Sequence, residues 1–106
     1  MTDFEKILKD ATGLPVADTV FPSPQKMPYI AFLDRQEFDG DDLNHSQTVD
    51  HDTDIELYTE RIDKENEKKI EDLCRKQNWK PEKDRTWLSG EKCFQTNYHI
   101  KFKERI

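Results

Sequence analysis

The sequence predicts an α+β fold: a two-layer sandwich of a four-stranded, mainly antiparallel sheet and two helices. Two stretches repeat their apolar residues with a helical period, and other stretches alternate apolar with polar residues. Taken in chain order they read α-β-β-α-β-β, a pattern that stacks helices on one face of a sheet.

Thr2 and Glu5 have the spacing of a capping box at a helix start. Phe4, Ile7, Leu8 and Ala11 follow at i, i+3, i+4 and i+7, and Gly13 ends the helix because glycine adopts a left-handed cap at little cost. Residues 14–28 hold four of the five prolines, so an irregular, extended path is expected, anchored by Leu14, Val16, Val20 and Phe21.

Tyr29 to Leu33 reads as a short buried strand. The next stretch, Asp34 to Asp50, is too acidic and too poor in apolar residues to pack. The expected organisation is therefore a single domain, 1–106, with a long acidic loop at about 34–52. Thr53 to Thr59 alternates, with Ile55 and Leu57 on one face and Asp54, Glu56 and Tyr58 on the other, so it should pair with the preceding strand as an antiparallel hairpin.

Asp63 is placed to cap a second helix whose inner stripe is Ile70, Leu73, Cys74 and Gln77. Glu65–Lys69, Glu71–Arg75 and Asp72–Lys76 stand at i, i+4 in the favourable order, each contributing about 0.3–0.5 kcal/mol, which reads as a solvated helix face. Asn78 to Asp84, with Pro81, breaks this helix. Thr86-Trp87-Leu88, the turn Ser89-Gly90-Glu91 and a long final strand make a second hairpin. In that strand Phe94, Thr96, Tyr98, Ile100 and Phe102 point one way, and Cys93, Gln95, Asn97, His99, Lys101 and Lys103 the other.

Length and composition bound the function. The chain has 106 residues, 38% of them charged and 33% hydrophobic, at a net charge of -6. That is one domain with a small core. The longest apolar run, Tyr29 to Leu33, is far short of the roughly 18 residues of a membrane span, and the N-terminal residues lack a basic or apolar signal segment, so neither a membrane partner nor export is expected. Cys74 and Cys93 fall on different elements and faces and read as free thiols of a reducing compartment.

Charge is unevenly placed. Residues 1–74 balance at -11 and residues 75–106 at +5. A chain with an acidic and a basic region can attract copies of itself head to tail, and such contacts close into rings when the rotation permits.

Catalytic and ligand chemistry is thin. Asp39, Asp41 and Asn44 place oxygens at alternate positions, but Gly40 is misplaced for a calcium hand and the terminal Glu is missing. His45 and His51, with Asp50, Asp52 and Asp54, lack the HxxxH or HxH spacing of a zinc site, and His99 reads as a surface residue of an open strand face. Three glycines leave no phosphate cradle, and there is no GxSxG elbow. No enzyme, metal or other cofactor is expected. An acidic chain is also repelled by a phosphate backbone, so nucleic-acid binding is not the expected primary role.

Several segments, in order, resemble the small tail-terminator (tail-completion, tail-to-head joining) proteins of long-tailed bacteriophages and prophages. They are Thr12-Gly13-Leu14-Pro15-Val16, Met27-Pro28-Tyr29-Ile30, and Asp54-Ile55-Glu56-Leu57-Tyr58-Thr59. Asp63 with Glu67, Ile70 and Leu73, and then Glu91-Lys92-Cys93-Phe94-Gln95-Thr96-Asn97-Tyr98, complete the set, which spans nearly the whole chain. The resemblance implies a non-enzymatic virion part of the tail or neck region, made in the bacterial host cytoplasm. It implies subunits that self-associate into a ring, often a hexamer, that caps the tail tube protein and docks to the head-tail connector protein, with DNA only as passing cargo. Functional residues are then surfaces. Asp39, Asp41 and Asp42 are expected to approach the ring's channel, where acid repels passing DNA, and Lys101, Lys103 and Arg105 to form the complementary side of a subunit contact. Three other readings stay open at this point: another head-tail joining or minor virion component, an acidic inhibitor that mimics nucleic acid, and a small metal-dependent enzyme, which a metal analysis of purified protein would test.

Overall fold

The computed structural model describes residues 2–41 and 46–105. Its elements run α1 (Phe4–Thr12), β1 (Val16–Asp18), β2 (Tyr29–Asp41), β3 (Ser46–Thr59), α2 (Lys64–Lys76), β4 (Glu82–Leu88) and β5 (Cys93–Arg105). The five strands form one sheet in the order β1-β2-β3-β5-β4. β1 lies parallel to β2, and the other pairs are antiparallel.

The expected four-stranded, mainly antiparallel sheet in the order α-β-β-α-β-β is therefore corrected to a five-stranded mixed sheet in the order α-β-β-β-α-β-β. The added strand is β1. Three residues between prolines are too few to show alternation, yet Val16 is buried, and Ile30 donates to the Pro15 carbonyl at 2.9 Å while Thr19 donates to that of Phe32 at 2.7 Å.

The acidic loop at about 34–52 is corrected as well, since residues 34–41 and 46–52 continue β2 and β3. Their register runs one for one from Tyr29 opposite Tyr58 to Asp41 opposite Ser46. Several of these polar residues find side-chain partners across the sheet, beside the backbone ladder that keeps them extended. Asp34 accepts from Thr53 Oγ1 at 2.7 Å and lies 2.8 Å from His51 Nδ1. β4 likewise starts at Glu82, earlier than Thr86, the first residue expected of it.

Both helices cover one face of the sheet. Phe4 and Leu8 of α1 and Ile70, Leu73 and Cys74 of α2 share a core with Ile30, Phe32, Ile55, Leu57, Tyr98 and Ile100. The inner residues of β3 and β5 have the expected period of two, and eight of these core residues have no or almost no exposed surface. Burial of this kind stabilises by about 25 cal/mol for each Å² of apolar surface removed from water.

Local signals explain the helix ends. Gly13 takes φ +72° and donates to the Lys9 carbonyl at 2.8 Å. Asp63 caps α2 by accepting from Asn66 N at 3.0 Å. At the start of α1 the cap is Asp3, not Thr2. Thr2 is drawn away by Glu104 of β5, to which its backbone N and Oγ1 donate at 3.1 and 2.7 Å. The i, i+4 pairs expected on α2 give way to others: Asp72 takes Lys68 and Arg75, and Glu71 takes Lys83 of β4. Gln77, expected on the inner stripe, is the exposed C-cap.

Candidate assembly face

The sheet has a second face that the helices do not touch. Strand alternation places Tyr29, Ala31, Leu33, Arg35, Glu37 and Asp39 of β2 on it. Beside them stand Asp50, Asp52, Asp54, Glu56 and Tyr58 of β3, then Gln95, Asn97, His99, Lys101, Lys103 and Arg105 of β5. At one end the proline-rich segment folds over this face, with the Phe21 ring 5.2 Å from that of Tyr29 and edge-on to it. The other end carries charge in columns: Glu37 and Asp39 on β2, Asp50, Asp52 and Asp54 on β3, and three bases on β5.

The basic column is thus not remote from the acids, as the sequence split at residue 74 suggests. Lys101 is opposite Asp52, Lys103 opposite Asp50 and Arg105 opposite Thr48. Lys103 Nζ reaches Asp50 at 3.6 Å. Towards the middle of the face, Arg35 bonds Asp54 at 2.7 Å, and His99 lies 3.0 Å from Asp52 and 2.9 Å from Asp54. Desolvation pushes the Asp54 carboxyl upward, but hydrogen bonds from Arg35, His99 and Asn97 outweigh it and hold the group below the usual aspartate range.

Of the residues singled out from sequence, Asp39 is exposed near the end of β2 and Asp41 closes that strand. Asp42 lies outside the described residues, as do Asn44 and His45. Lys101, Lys103 and Arg105 share the outer face of β5 and are exposed. The structure therefore brings Asp39 and the three bases to one end of one face. Among the described residues no group of His, Cys, Asp or Glu side chains is arranged to hold a metal ion. Among the described residues no helix is long and apolar enough to cross a membrane.

Two polar clusters on the helix side were missed from sequence. His51 has a fully buried side chain, stacked at 4.3 Å on Phe102, with Nδ1 at 2.8 Å from Asp34 and Nε2 at 2.9 Å from Glu104. It ties β2 and β5 to β3 where the sheet runs past the apolar core. Burial raises the Glu104 carboxyl, yet bonds from Thr2 and His51 bring it below the ordinary glutamate range. The second cluster centres on Glu67 of α2. Arg85 bonds it through two nitrogens, at 2.9 and 2.6 Å, with Lys83 at 2.9 Å and Thr96 at 3.1 Å. Desolvation opposes ionisation, but these donors prevail and hold Glu67 at about 2. The signal was available: Glu67 stands three residues before Ile70 and seven before Cys74, on the buried stripe.

No family model and no curated protein matches the sequence. Among solved structures the chain is similar to one described as "Virion of native gene transfer agent (GTA) particle". The TM-score is 0.60 at 12% identity, over 94% of this chain and 85% of that one. At this identity the likeness is one of fold, and it extends over nearly the whole molecule.

Proposed function

We propose that this protein is a structural component of a phage-like virion, and within that class a tail terminator. Copies form a ring that caps the tail tube and joins it to the head connector. The observation that carries the reading is the near-complete fold likeness to a chain of a gene transfer agent virion, at TM-score 0.60. The ordered resemblance of the sequence to tail-terminator proteins agrees with it in class.

The face geometry supports a role in assembly. Its charges sit in adjacent columns of opposite sign, which favours binding to a surface of the same design over binding to a polyanion. The same arrangement speaks against an acidic nucleic-acid mimic, because Lys101, Lys103 and Arg105 interrupt the acid on the very face that would carry the mimicry. In this reading the residues perform no bond chemistry, and the chain is not an enzyme.

Purified protein mixed with tail tubes and viewed by negative-stain microscopy tests the proposal. Rings of about six copies at tube ends, released as salt rises, are the expected result. Bare tube ends beside free monomer at every salt concentration contradict it.

A further inference from the structure

The two edges of the sheet differ in how they are finished. β1 pairs with β2 only at Ile30, Ala31 and Phe32, so from Asp34 to Asp41 the outer edge of β2 meets no strand among the described residues. β4 pairs with β5 only as far as His99, so from Ile100 to Arg105 the outer edge of β5 is open as well. Both open edges lie at the same end of the sheet, where only β2, β3 and β5 remain.

The direction of the peptide groups follows from the ladder. Ile30 and Phe32 bond towards β1, so alternation turns the N–H and C=O groups of Asp34, Gln36 and Phe38 outward on β2. The same alternation, carried across β3, turns those of Lys101, Lys103 and Arg105 outward on β5. Two devices that block an exposed edge outright are missing from this stretch of β2: it has no proline, and its register with β3 contains no bulge, which leaves charge as its protection against unlike partners. Phe38, beside the open groups, is 62% exposed.

We propose that copies of this chain join edge to edge, with Asp34–Asp41 of one copy running alongside Ile100–Arg105 of the next. The inference deepens the ring reading above and rests on it. β2 and β5 point the same way within one sheet, so a neighbour in the same orientation presents its β2 parallel to this β5 and keeps its helices on the same side.

Charge selects this pairing over the alternatives. Two β2 edges would bring Glu37 and Asp39 against their like, and two β5 edges would oppose Lys101, Lys103 and Arg105. Arg35, the one base of that β2 column, is already bonded to Asp52 and Asp54, so the acids of one β2 meet their bases when it lies against β5 of another copy. Among the described residues Glu37, Asp39, Lys101 and Arg105 make no ion pair within the chain, so they remain available to a neighbour. The contact is heterologous, the type that closes into rings.

Sedimentation velocity on the full chain, read over a range of protein concentrations, tests it. Gln36→Pro removes an N–H that faces outward and leaves the β3 ladder whole. It should keep the circular dichroism and melting temperature of the parent and sediment as a monomer. A charge exchange gives a second readout independent of proline. Glu37→Lys with Asp39→Lys should raise the midpoint of association by about tenfold or more, as should Lys101→Glu with Arg105→Glu. All four substitutions together should restore it. Folded Gln36→Pro that assembles like the parent overturns the edge contact while leaving the ring reading intact, as does a fourfold variant no better than either pair. A parent chain that stays monomeric alone and on tail tubes overturns both.

Discussion

Glu67 is the side chain whose loss should cost most for its size. Its carboxylate is buried at the junction of α2 with β4 and β5 and accepts from Arg85, Lys83 and Thr96. Glu67→Gln leaves two cations facing a neutral amide, and since both retain some contact with water the expected loss is about 2–3 kcal/mol by thermal or urea unfolding. The pH dependence has a definite sign. A carboxyl held at about 2 when folded, against 4.5 when free, contributes fully above pH 4.5 and loses its contribution as pH falls from there towards 2. Glu71 and Glu104 are shifted in the same direction. Stability measured in this window should fall with acid in the parent, and less steeply in Glu67→Gln. At this scale the sequence was only half legible. Periodicity puts Glu67 on the buried stripe and His51 in phase with Ile55 and Leu57, but their partners come from strands 16 or more residues away. Pairing of that kind is set by strand register, which no local pattern encodes.

Among elements, the helices were legible from their apolar period and end residues, and the central strands from their alternation. Gly13 illustrates how far a single local signal reaches. Its φ of +72° is the whole reason for glycine, since a Cβ there would meet nothing within 4 Å. Gly13→Ala should therefore cost only the strain of the left-handed backbone, about 1 kcal/mol, seen as a melting temperature lower by about 4–8 °C. The strand extensions were not legible. Residues 34–41 and 46–52 lack the apolar alternation that marks a strand, because their helix-side positions are mostly polar: Val49 is apolar and buried there, but Asp34, Gln36 and His51 are not apolar. What holds them is a set of cross-strand bonds, Asp34 to His51 and Thr53 and Glu104 to His51 and Thr2, whose members are polar and so resemble loop residues in composition. β1 escaped notice for a different reason: three residues cannot display a period, and its proline neighbours argue for irregular backbone.

For the molecule as a whole, the sequence separates charge into an acidic first part and a basic last part, and the fold partly undoes that separation. β5 lies directly beside β3, so the basic column and an acidic column become neighbours on one face. The remaining imbalance is at the margins, with acid on the free edge of β2 and base on the free edge of β5. The molecule measures 52 by 28 by 22 Å, and at one end of its sheet the outer edges of β2 and β5 meet no strand among the described residues. Our proposal for the whole molecule is that this chain works by binding copies of itself into a closed assembly. Native mass spectrometry of the purified chain, sprayed from solutions of rising ionic strength, tests it most directly. One dominant closed oligomer of about six copies is expected at low salt, giving way to monomer as the charges are screened. A single monomer peak at every protein and salt concentration would contradict it.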